Sequence, residues 1–387
     1  MHGGIMKKTI SVLGATGSVG RQALDVARER DFLVDFLCAN RDVSTLEAYA
    51  REFRPRAVAM TDPWAARDLK QRLADTSVRV LSGEEGIEEG ILTSESEVAV
   101  NSILGEAGLI PSLTVIKSGK RLALANKESL VIAGDIVMAA ARDKGAEIIP
   151  VDSEHSAIFQ SLKSGKREEI KRLILTASGG PFFGKTKEEL MEVTLEQTLA
   201  HPTWKMGKKI TVDSATLMNK GFEIIEAVHL FGVPADTVEV VVHRESILHS
   251  AVEYIDNSII AEMSVPDMKM CVQYAVDYPQ RRPSKAKELD LFEVGSLTFR
   301  RPDKEAFPFL DLAREVITQG GAMPAVMNAA DEIAVDAFLN GKLTFHDIFR
   351  VVTDTVRGMS DMSGVHSLEG IIAADREARR RALELVK

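Results

Sequence analysis

A glycine-rich loop between the first predicted strand and the first predicted helix constrains the fold more than any other feature of the sequence. A strand is predicted over residues 9–13 and an amphipathic helix over residues 18–30, and Gly14-Ala15-Thr16-Gly17-Ser18-Val19-Gly20 joins them. Glycine is needed where a backbone turns sharply and approaches a ligand closely, and the free N–H groups at a helix start bind pyrophosphate. In the first βα turn this loop predicts a dinucleotide-binding domain. A purely structural turn is the alternative.

Strand and helix patterns alternate through the first 150 residues. Further strands are predicted at residues 33–38, 57–60, 78–81, 98–101, 121–125 and 148–151. Helices are predicted between them, including residues 45–53 and 129–144. This alternation is typical of βαβ units, so the predicted fold class is α/β with an N-terminal Rossmann-like domain built on a parallel sheet.

The pattern changes after about residue 151, where an α+β region is predicted. Its helices are predicted at residues 155–162 and 215–231, and its strands at residues 172–176, 210–212, 238–242, 247–254 and 259–265. The last two strands flank Asp256-Asn257 and are predicted to form an antiparallel hairpin. A proline-rich, charged stretch then precedes helices predicted at residues 325–340, 344–359 and 367–385, the last with Ser367 as N-cap. We therefore expect a nucleotide-binding domain at 1–151, a catalytic domain at 152–278, a linker at 279–308 and a C-terminal helical bundle at 309–387.

Charge and composition exclude several classes of partner. The chain of 387 residues has 48 Lys and Arg against 57 Asp and Glu, a net charge of -9, which argues against nucleic acid as a partner. The sequence contains no apolar run of the roughly 18 residues that a membrane span requires. The N-terminus does not resemble a signal peptide, and Met6 is a possible second start. Cys38 and Cys271 are far apart and outside any CxxC pair, which favours a cytoplasmic location.

The end of the second predicted strand indicates which nicotinamide cofactor is bound. Domains specific for NAD usually place an acidic residue there to hold the ribose 2′-hydroxyl. Here the strand ends in Cys38-Ala39-Asn40-Arg41, and Arg41 can pair with a 2′-phosphate. The sequence therefore favours NADP, although Asp42 would repel that phosphate unless its side chain points away. A solvated loop charge is the alternative role for Arg41.

Two carboxylates at the end of a predicted strand suggest a metal site. Asp152 and Glu154 are two residues apart, so on an extended chain they face the same side. Ligand sets made only of oxygen favour Mg²⁺ or Mn²⁺. The alternative is that Asp152-Ser153-Glu154 caps a helix, because the residues that follow it have a helical pattern.

A polar helix face and a small-residue loop suggest a phosphate site. Asn219, Lys220 and Glu223 share one face of a predicted helix. With Ser214 they could bind a phosphate, and so could Ser178-Gly179-Gly180. A solvated face carrying an ordinary Lys–Glu pair is the alternative.

The segment at residues 200–209 combines His201, Trp204 and Gly207 in a loop with no predicted regular structure. Such a loop is typical of a lid that closes over a ligand. A surface Ω-loop anchored by a buried tryptophan is the alternative.

Taken together, these segments resemble the 1-deoxy-D-xylulose 5-phosphate reductoisomerase family, NADPH- and metal-dependent enzymes of the non-mevalonate isoprenoid pathway. The resemblance covers essentially the whole chain, and its matching blocks occur in the family's order. They are residues 14–20, 124–131, 150–157, 176–182, 201–207 and 212–223.

The resemblance implies a role for each matching residue. NADPH would be bound by Thr16, Gly17, Ser18, Val19, Asn40, Arg41, Asp42, Asn126, Glu128 and Gly207, with Asp42 departing from a more usual neutral residue. A divalent ion, Mg²⁺ or Mn²⁺ with Co²⁺ also possible, would be bound by Asp152, Glu154 and Glu223. The sugar phosphate would be bound by Lys127, Ser153, Glu154, His201 and Glu223, with its phosphate on Ser178, Ser214, Asn219 and Lys220. Catalytic positions would be Lys127, Glu154, His155, His201, Trp204 and His249.

The implied reaction converts 1-deoxy-D-xylulose 5-phosphate to 2-C-methyl-D-erythritol 4-phosphate, in a homodimer. Whether rearrangement proceeds by retro-aldol cleavage or alkyl shift stays open, as does the choice of Glu154 or a metal-bound hydroxide as base. One alternative is another NADP-dependent sugar-phosphate or semialdehyde dehydrogenase; the semialdehyde type needs a nucleophilic cysteine that neither Cys38 nor Cys271 suits. A second alternative, an NADP-sensing regulatory module, has no use for three carboxylates and a phosphate pocket.

Overall fold

The computed structural model describes residues 7–204 and 206–387, so the possible start at Met6 and the lid residue Lys205 lie outside the described residues. Two compact units are present in the described part of the chain. The first comprises the residues up to Asn126, together with Val137–Ser156 and Asp267–Ala286. The second comprises Lys127–Ile136, Ala157–Pro266 and Lys287–Lys387. The predicted boundaries at 151, 278 and 308 divide the chain linearly and stay a prediction.

The strands and helices of the described residues are numbered in chain order. The strands are β1 (Thr9–Leu13), β2 (Leu33–Ala39), β3 (Ala57–Met60), β4 (Arg79–Ser82), β5 (Val98–Asn101), β6 (Arg121–Leu124), β7 (Ile148–Pro150), β8 (Ile170–Ala177), β9 (Val238–Val242), β10 (Leu248–Tyr254) and β11 (Ile259–Met263). The helices are α1 (Ser18–Arg30), α2 (Val43–Phe53), α3 (Pro63–Arg72), α4 (Gly83–Thr93), α5 (Leu109–Lys117), α6 (Glu128–Lys144), α7 (Ser153–Ser161), α8 (Leu195–Leu199), α9 (Lys208–Thr216), α10 (Met218–Phe231), α11 (Met268–Asp277), α12 (Leu291–Val294), α13 (Phe309–Gln319), α14 (Met323–Leu339), α15 (Phe345–Arg357) and α16 (Leu368–Leu385).

The first unit is built on a parallel sheet whose seven described strands have the order β4-β3-β2-β1-β5-β6-β7. The strands β3 and β5 are buried along their whole length, as expected where helices cover both faces of a parallel sheet. The chain leaves β1 in one direction through β2 and returns to its other side at β5. Ligands of such sheets bind at this switch point, beyond the carboxyl ends of the strands. The predicted Rossmann-like fold is confirmed.

The second unit contains a sheet whose described strands have the order β11-β10-β8-β9. The strands β8 and β9 pair in parallel, whereas β10 pairs antiparallel with both β8 and β11. The predicted hairpin around Asp256-Asn257 is therefore confirmed, and β11 is its outer strand.

The sequence interpretation of residues 210–231 is wrong in two respects. Residues 210–212, predicted as a strand because Ile, Thr and Val favour strands, lie inside α9, where Thr211 and Val212 are buried. The single helix predicted at 215–231 is two helices, because Leu217 between α9 and α10 adopts the left-handed region with φ 60°. The Thr216 hydroxyl accepts a hydrogen bond from the N–H of Met218 at 3.3 Å, a local bond that competes with helix continuation.

The C-terminal part of the second unit is helical, as predicted. The N-cap at Ser367 is confirmed, since its hydroxyl accepts a hydrogen bond from the N–H of Gly370 at 3.1 Å. The sequence interpretation omitted α13, and the predicted linker contains the short helix α12. None of the helices in residues 7–204 and 206–387 combines the length and the apolar character that a membrane span requires.

Candidate active site

The glycine loop after β1 contains glycines that close packing requires, and it leads into a helix start that is suited to bind an anion. Gly14 has φ +80°, and a Cβ there would lie 2.8 Å from the carbonyl carbon of Ser102. A Cβ at Gly20 would lie 2.2 Å from the carbonyl oxygen of Gly14, so both glycines are required for packing. Gly17 stands at the N-cap of α1 and supplies no side-chain cap. The N–H groups of the first turn of α1, including those of Ser18 and Val19, are therefore suited to bind an anion.

The segment after β2 carries a guanidinium held in place by an aspartate. The Nε of Arg41 donates a hydrogen bond to Asp62 Oδ2 at 2.9 Å, while 78% of the Arg41 side chain stays exposed. Asp62 also accepts from the N–H groups of Trp64 and Ala65 at the start of α3, and these bonds lower its pKa. The hydrogen bond to Asp62 therefore fixes the guanidinium of Arg41, which stays exposed next to Asn40.

Asp42, whose charge the sequence analysis considered as a repulsion against the 2′-phosphate, caps a helix. Its Oδ1 accepts a hydrogen bond from the N–H of Thr45 at 3.1 Å and caps α2. Arg21 of α1 lies 3.6 Å from the other oxygen of Asp42. The carboxylate is thus neutralised by a helix start and an arginine, so it does not argue against a 2′-phosphate at Arg41.

Asn126 organises the loop that follows β5. Its Nδ2 donates hydrogen bonds to the carbonyl oxygens of Ile103 and Gly105, at 2.7 and 3.0 Å. Gly108 packs so closely against the Asn126 side chain that a Cβ there would lie 2.4 Å away. Asn126 therefore fixes the backbone at the carboxyl end of β5, on the side of the sheet where the cofactor is expected.

The predicted carboxylate pair in the first unit follows β7 and begins α7. Asp152 Oδ1 accepts hydrogen bonds from the N–H groups of Glu154 and His155, at 3.1 and 3.4 Å, and lies 3.1 Å from Nδ1 of His155. The Ser153 hydroxyl donates to Glu154 Oε2 at 2.6 Å. The helix-cap role of Asp152 is thus observed. It is compatible with metal binding, because a carboxylate has a second oxygen.

The third predicted metal ligand, Glu223, is buried in the second unit among cations. Lys127 Nζ and Asn219 Nδ2 donate to its Oε1 at 3.1 and 2.6 Å, and Lys220 Nζ donates to its Oε2 at 2.5 Å. Lys127 Nζ also donates to Asn219 Oδ1 at 2.8 Å. Glu223 has 0% and Lys220 5% of its surface exposed, so the solvated-face alternative is wrong. A buried carboxylate of this kind needs positive charge beside it, and two lysines supply it.

Glu128, the neighbour of Lys127, belongs to a buried acidic region. Burial raises the pKa of Glu128, and the ammonium of Lys209 opposes that rise. Lys209 Nζ lies 2.7 Å from Asp213 Oδ2 and 2.8 Å from Asp331 Oδ2. Lys209 thereby ties the start of α9, at the end of the predicted lid, to α14.

A histidine joins the two predicted phosphate-binding serines. His201 Nε2 lies 3.0 Å from Ser178 Oγ and 3.2 Å from Ser214 Oγ. Its Nδ1 accepts hydrogen bonds from the N–H groups of Thr203 and Trp204, at 3.2 and 2.9 Å, so the proton of the neutral ring is on Nε2. Burial, with the nearby positive charge of an arginine and a lysine, lowers the pKa of His201 to about 4. The group is therefore a neutral donor between two hydroxyls.

Trp204 of the predicted lid and His249 also lie close together. The ring centroids of Trp204 and His249 are 6.3 Å apart. His249 is the extra residue of a bulge in β10, because Leu248 pairs with Met263 and Ser250 with Glu262. A bulge redirects a side chain, and the Nε2 of His249 donates to the carbonyl of Ser264 at 3.2 Å.

The structure thus brings most predicted residues into local groups within each unit. The sequence interpretation missed two residues that hold these groups, Asp62 beside Arg41 and Arg244 beside the loop of residues 178–180. Neither belongs to a recognisable motif, and only its partner in space shows its role.

Comparison with known proteins identifies the family. Models of the family match residues 10–134 ("1-deoxy-D-xylulose 5-phosphate reductoisomerase"), 148–231 ("1-deoxy-D-xylulose 5-phosphate reductoisomerase C-terminal domain") and 263–381 ("DXP reductoisomerase C-terminal domain"). A curated relative from Caldanaerobacter subterraneus subsp. tengcongensis, named 1-deoxy-D-xylulose 5-phosphate reductoisomerase, is 50% identical over 98% of this chain and 99% of its own length. The chain belongs to the 1-deoxy-D-xylulose 5-phosphate reductoisomerase family.

Solved structures of reductoisomerases have the same fold. The Zymomonas mobilis enzyme in complex with NADPH is 42% identical, with a TM-score of 0.92 over 98% of this chain and 99% of that one. A reductoisomerase in complex with NADPH, fosmidomycin and magnesium is 38% identical, with a TM-score of 0.92 over 98% of each chain. The predicted family is confirmed, and the roles of individual residues stay predictions.

Proposed function

We propose that this protein is an NADPH- and divalent-metal-dependent enzyme that rearranges and reduces 1-deoxy-D-xylulose 5-phosphate to 2-C-methyl-D-erythritol 4-phosphate. The identity of 50% to a reductoisomerase over 98% of the chain carries this proposal. Reductoisomerase structures that contain NADPH and magnesium support both requirements. Cys38 does not suit the nucleophile of a cysteine-dependent semialdehyde dehydrogenase, because burial raises the pKa of its thiol to about 12.

The residues of the first unit suit NADPH. The uncapped start of α1 fits the pyrophosphate, with Thr16, Gly17, Ser18 and Val19 around it. Arg41, attached through its Nε to Asp62, has its remaining donors for the 2′-phosphate. We propose that Asn40 and Asp42 shape this end of the pocket. We propose that Asn126 also contacts NADPH, as do Glu128 and Gly207 of the second unit.

The proposed metal ligands Asp152, Glu154 and Glu223 are a donor set made only of carboxylate oxygens. Such a set suits Mg²⁺ or Mn²⁺, and it also admits Co²⁺. The burial of Glu223 among two lysines and an amide fits a carboxylate that works in ionised form. When bound, the metal supplies Lewis-acid polarisation of substrate oxygens and NADPH supplies a hydride.

The chain's own residues bind and orient the substrate. We propose that Ser178, Ser214 and the neutral His201 donate hydrogen bonds to the phosphate, with Asn219 and Lys220. Binding energy from this group, remote from the reacting bonds, orients the carbon skeleton. Ser153 and Lys127 would contact the hydroxyl-bearing part of the substrate, where the Lys127 ammonium stabilises developing negative charge.

Further residues would control protons and water. We propose Glu154 as a candidate base for the hydroxyl proton whose removal starts the rearrangement, and we propose that His155 orients Asp152 through their 3.1 Å contact. Trp204 and His249 would cover the substrate, since their rings lie together in the second unit. Covering the site keeps water away from the aldehyde before it is reduced.

Replacing Glu223 by glutamine tests the proposed site. We expect turnover at saturating Mg²⁺ to fall about 100-fold or more, because one carboxylate ligand is lost. NADPH binding, measured by fluorescence titration, should stay within about twofold of wild type, a change of less than 0.5 kcal/mol. Glu253→Gln is the matched control, since Glu253 is also buried and accepts hydrogen bonds from Lys171 and Arg172.

The control variant should keep wild-type turnover even where it unfolds at lower temperature. Equal loss of turnover in both variants would show that Glu223 acts only through folding. Loss of NADPH binding in the Glu223 variant would show that the site has been misplaced.

We also propose that the protein is a cytoplasmic homodimer. The outer strand β11 exposes the apolar side chains of Ile259, Ile260 and Met263, by 54%, 37% and 37%. An exposed apolar edge strand of this kind pairs readily with a second chain. Light scattering should give twice the chain mass for wild type and the chain mass for Ile259→Lys. A monomeric wild-type protein at assay concentration would contradict the proposal.

A further inference from the structure

Arg244 holds the loop that carries one of the proposed phosphate-binding serines. One guanidinium nitrogen, Nη1, donates to the carbonyl oxygens of Ser178 and Gly180, at 3.1 and 2.7 Å. The same loop of residues 178–180 follows β8 and presents the Ser178 hydroxyl to His201. The arginine therefore bonds to the backbone of the loop, while the serine hydroxyl is left for the pocket.

The loop depends on such an attachment because its own sequence does not select one conformation. Gly179 and Gly180 have φ +76° and +63°, and glycine visits many other conformations in the unfolded chain. Inside the loop, the N–H of Gly180 donates to Ser178 Oγ at 3.2 Å. On its other side, a Cβ at Gly180 would lie 2.7 Å from the carbonyl oxygen of Ser214. The loop is thus seated against α9, and Arg244 supplies the bonds that keep it there.

The position of Arg244 is itself fixed by a buried histidine. His243 Nε2 accepts hydrogen bonds from the N–H groups of Ile247 and Leu248, at 3.2 and 3.1 Å, and its Nδ1 donates to the carbonyl of Thr298 at 3.0 Å. These bonds set the turn between β9 and β10 on which Arg244 stands. The guanidinium also stacks over the ring of Phe183, 5.2 Å from its centroid.

The charge of Arg244 reaches the pocket as well as the loop. The pKa of His201 is lowered first by burial, then by the positive charge of Arg244, and then by that of Lys220. The guanidinium is therefore close enough to act on a group that bonds both pocket serines. A cation held against the loop that carries Ser178 would attract the dianion of a phosphate monoester.

We propose that Arg244 is a positioning residue for the phosphate group of the substrate. It holds the 178–180 loop in its binding conformation and adds a fixed positive charge behind it. This inference rests on the proposed function for the identity of the substrate, but the anion-binding property itself does not. The residue does not touch the reacting bonds, so its loss should act on substrate affinity.

Two variants separate the hydrogen bonds from the charge. Arg244→Gln removes the charge, and Arg244→Lys keeps it but loses the planar fork. We expect Arg244→Gln to raise both the KM for the sugar phosphate and the inhibition constant of inorganic phosphate by about tenfold, with kcat changed by less than about threefold. For Arg244→Lys, the KM for the sugar phosphate and the inhibition constant of inorganic phosphate should lie between those of wild type and Arg244→Gln. The dissociation constant of NADPH should stay unchanged in both variants.

Arg314→Gln is the matched control. Arg314 is a part-buried arginine that likewise donates to backbone carbonyls, those of Ala235 and Val238 at the opposite end of β9. It should lower the melting temperature and leave the KM for the sugar phosphate and phosphate inhibition unchanged.

The titration of His201 supplies a readout that a purely structural role would not move. Among the described residues, the charged groups that act on His201 are Arg244 and Lys220. NMR of histidine-labelled protein should show the pKa of His201 rising towards 6.5 in Arg244→Gln and staying near the wild-type value in Arg244→Lys.

Two results would overturn the proposal. One is an Arg244→Gln protein whose KM and phosphate inhibition stay within twofold of wild type. The other is a variant that loses kcat, NADPH affinity and melting temperature together. If the wild-type protein does not turn over the sugar phosphate, the proposed function fails. The positioning role of Arg244 is then tested by ³¹P NMR titration of inorganic phosphate into wild type and Arg244→Gln. Tenfold weaker phosphate binding in the variant supports that role, and equal binding refutes it.

Discussion

His201 is the residue of the candidate site whose chemistry is most completely set by its neighbours. Two backbone N–H groups bond to its Nδ1, which places the proton on Nε2 between Ser178 and Ser214. The sequence singled out this histidine as part of a lid. It could not show the tautomer or the serine contacts, because those partners lie 23 and 13 residues away along the chain.

The structure also bears on two single residues whose roles the sequence left open. Asp42 caps α2, so its charge is used locally. Asp152 follows β7 and caps α7, and its role as a metal ligand stays a prediction. In each case residue type and spacing indicated the possible roles. The choice depended on which backbone N–H groups lie within reach, and only the fold determines that.

Adding a single methyl group at Gly207 tests whether this residue contacts NADPH. It stands at the N-cap of α9, outside the left-handed region, and a Cβ there would meet no heavy atom of the described residues within 4 Å. We therefore expect Gly207→Ala to keep or slightly raise the melting temperature. If Gly207 contacts NADPH, the KM for NADPH should rise by about three- to tenfold, a loss of 0.7–1.4 kcal/mol.

Gly364→Ala is the matched control, since Gly364 also has open space around its Cα and no positive φ. It should leave the KM for NADPH unchanged. A Gly207→Ala enzyme with wild-type kinetics would remove Gly207 from the proposed cofactor site.

Among the elements, those with strong local patterns were predicted and those set by long-range contacts were not. The predicted bounds of β1, α1, β3, β5 and β9 agree with the structure, because periodicity and flanking turn residues act within a few positions. The β-branched start of α9 favoured a strand instead. Its helix is stabilised by burial of Thr211 and Val212 and by the ion pairs of Lys209, which no local pattern shows.

The ion pairs between α9 and α14 predict a pH dependence of stability. Burial raises the pKa of both Asp213 and Asp331, which share Lys209, and the charges of Glu128 and Glu332 act on the same cluster. Because the folded state then holds a proton that the unfolded state releases near pH 4, this cluster loses stability as pH rises through the raised pKa values. Asp331→Asn removes one of the competing carboxylates. Its melting temperature relative to wild type should therefore be more favourable at pH 8 than at pH 5.

Asp336→Asn on the exposed face of α14 is the control and should show no such pH trend. A melting temperature of Asp331→Asn relative to wild type that is the same at the two pH values, or more favourable at pH 5 than at pH 8, would contradict the assignment. Differential scanning fluorimetry at both pH values measures it directly.

At the scale of the whole molecule, the order of architectures follows the chain, whereas the compact units do not. The α/β, α+β and helical regions follow one another as expected. The segment Asp267–Ala286 nevertheless belongs to the first unit, although it follows the second sheet along the chain. In this segment the carbonyl of Tyr278 accepts a hydrogen bond from Arg121, which is 157 residues away along the chain. No shift in composition and no linker pattern predicts that the chain returns to the first unit here.

Net charge shows a similar contrast between the whole chain and its sites. The value of -9 argues against nucleic acid, yet the proposed substrate and cofactor are both anions. The proposed anion-binding groups are local donors: the start of α1, Arg41, the serines beside His201, and Arg244 behind the loop that carries Ser178. Anion binding on this acidic protein is therefore a property of a few fixed groups, which an overall count does not reveal.

The most direct test of the proposed activity is NADPH oxidation with 1-deoxy-D-xylulose 5-phosphate, before and after removal of divalent metal by a chelator. We predict that turnover requires both substrates, is abolished by the chelator, and returns when Mg²⁺ or Mn²⁺ is added in excess. The product should be 2-C-methyl-D-erythritol 4-phosphate by mass spectrometry and NMR. Turnover that is unaffected by the chelator, or no turnover with metal, NADPH and the sugar phosphate all present, would contradict the account.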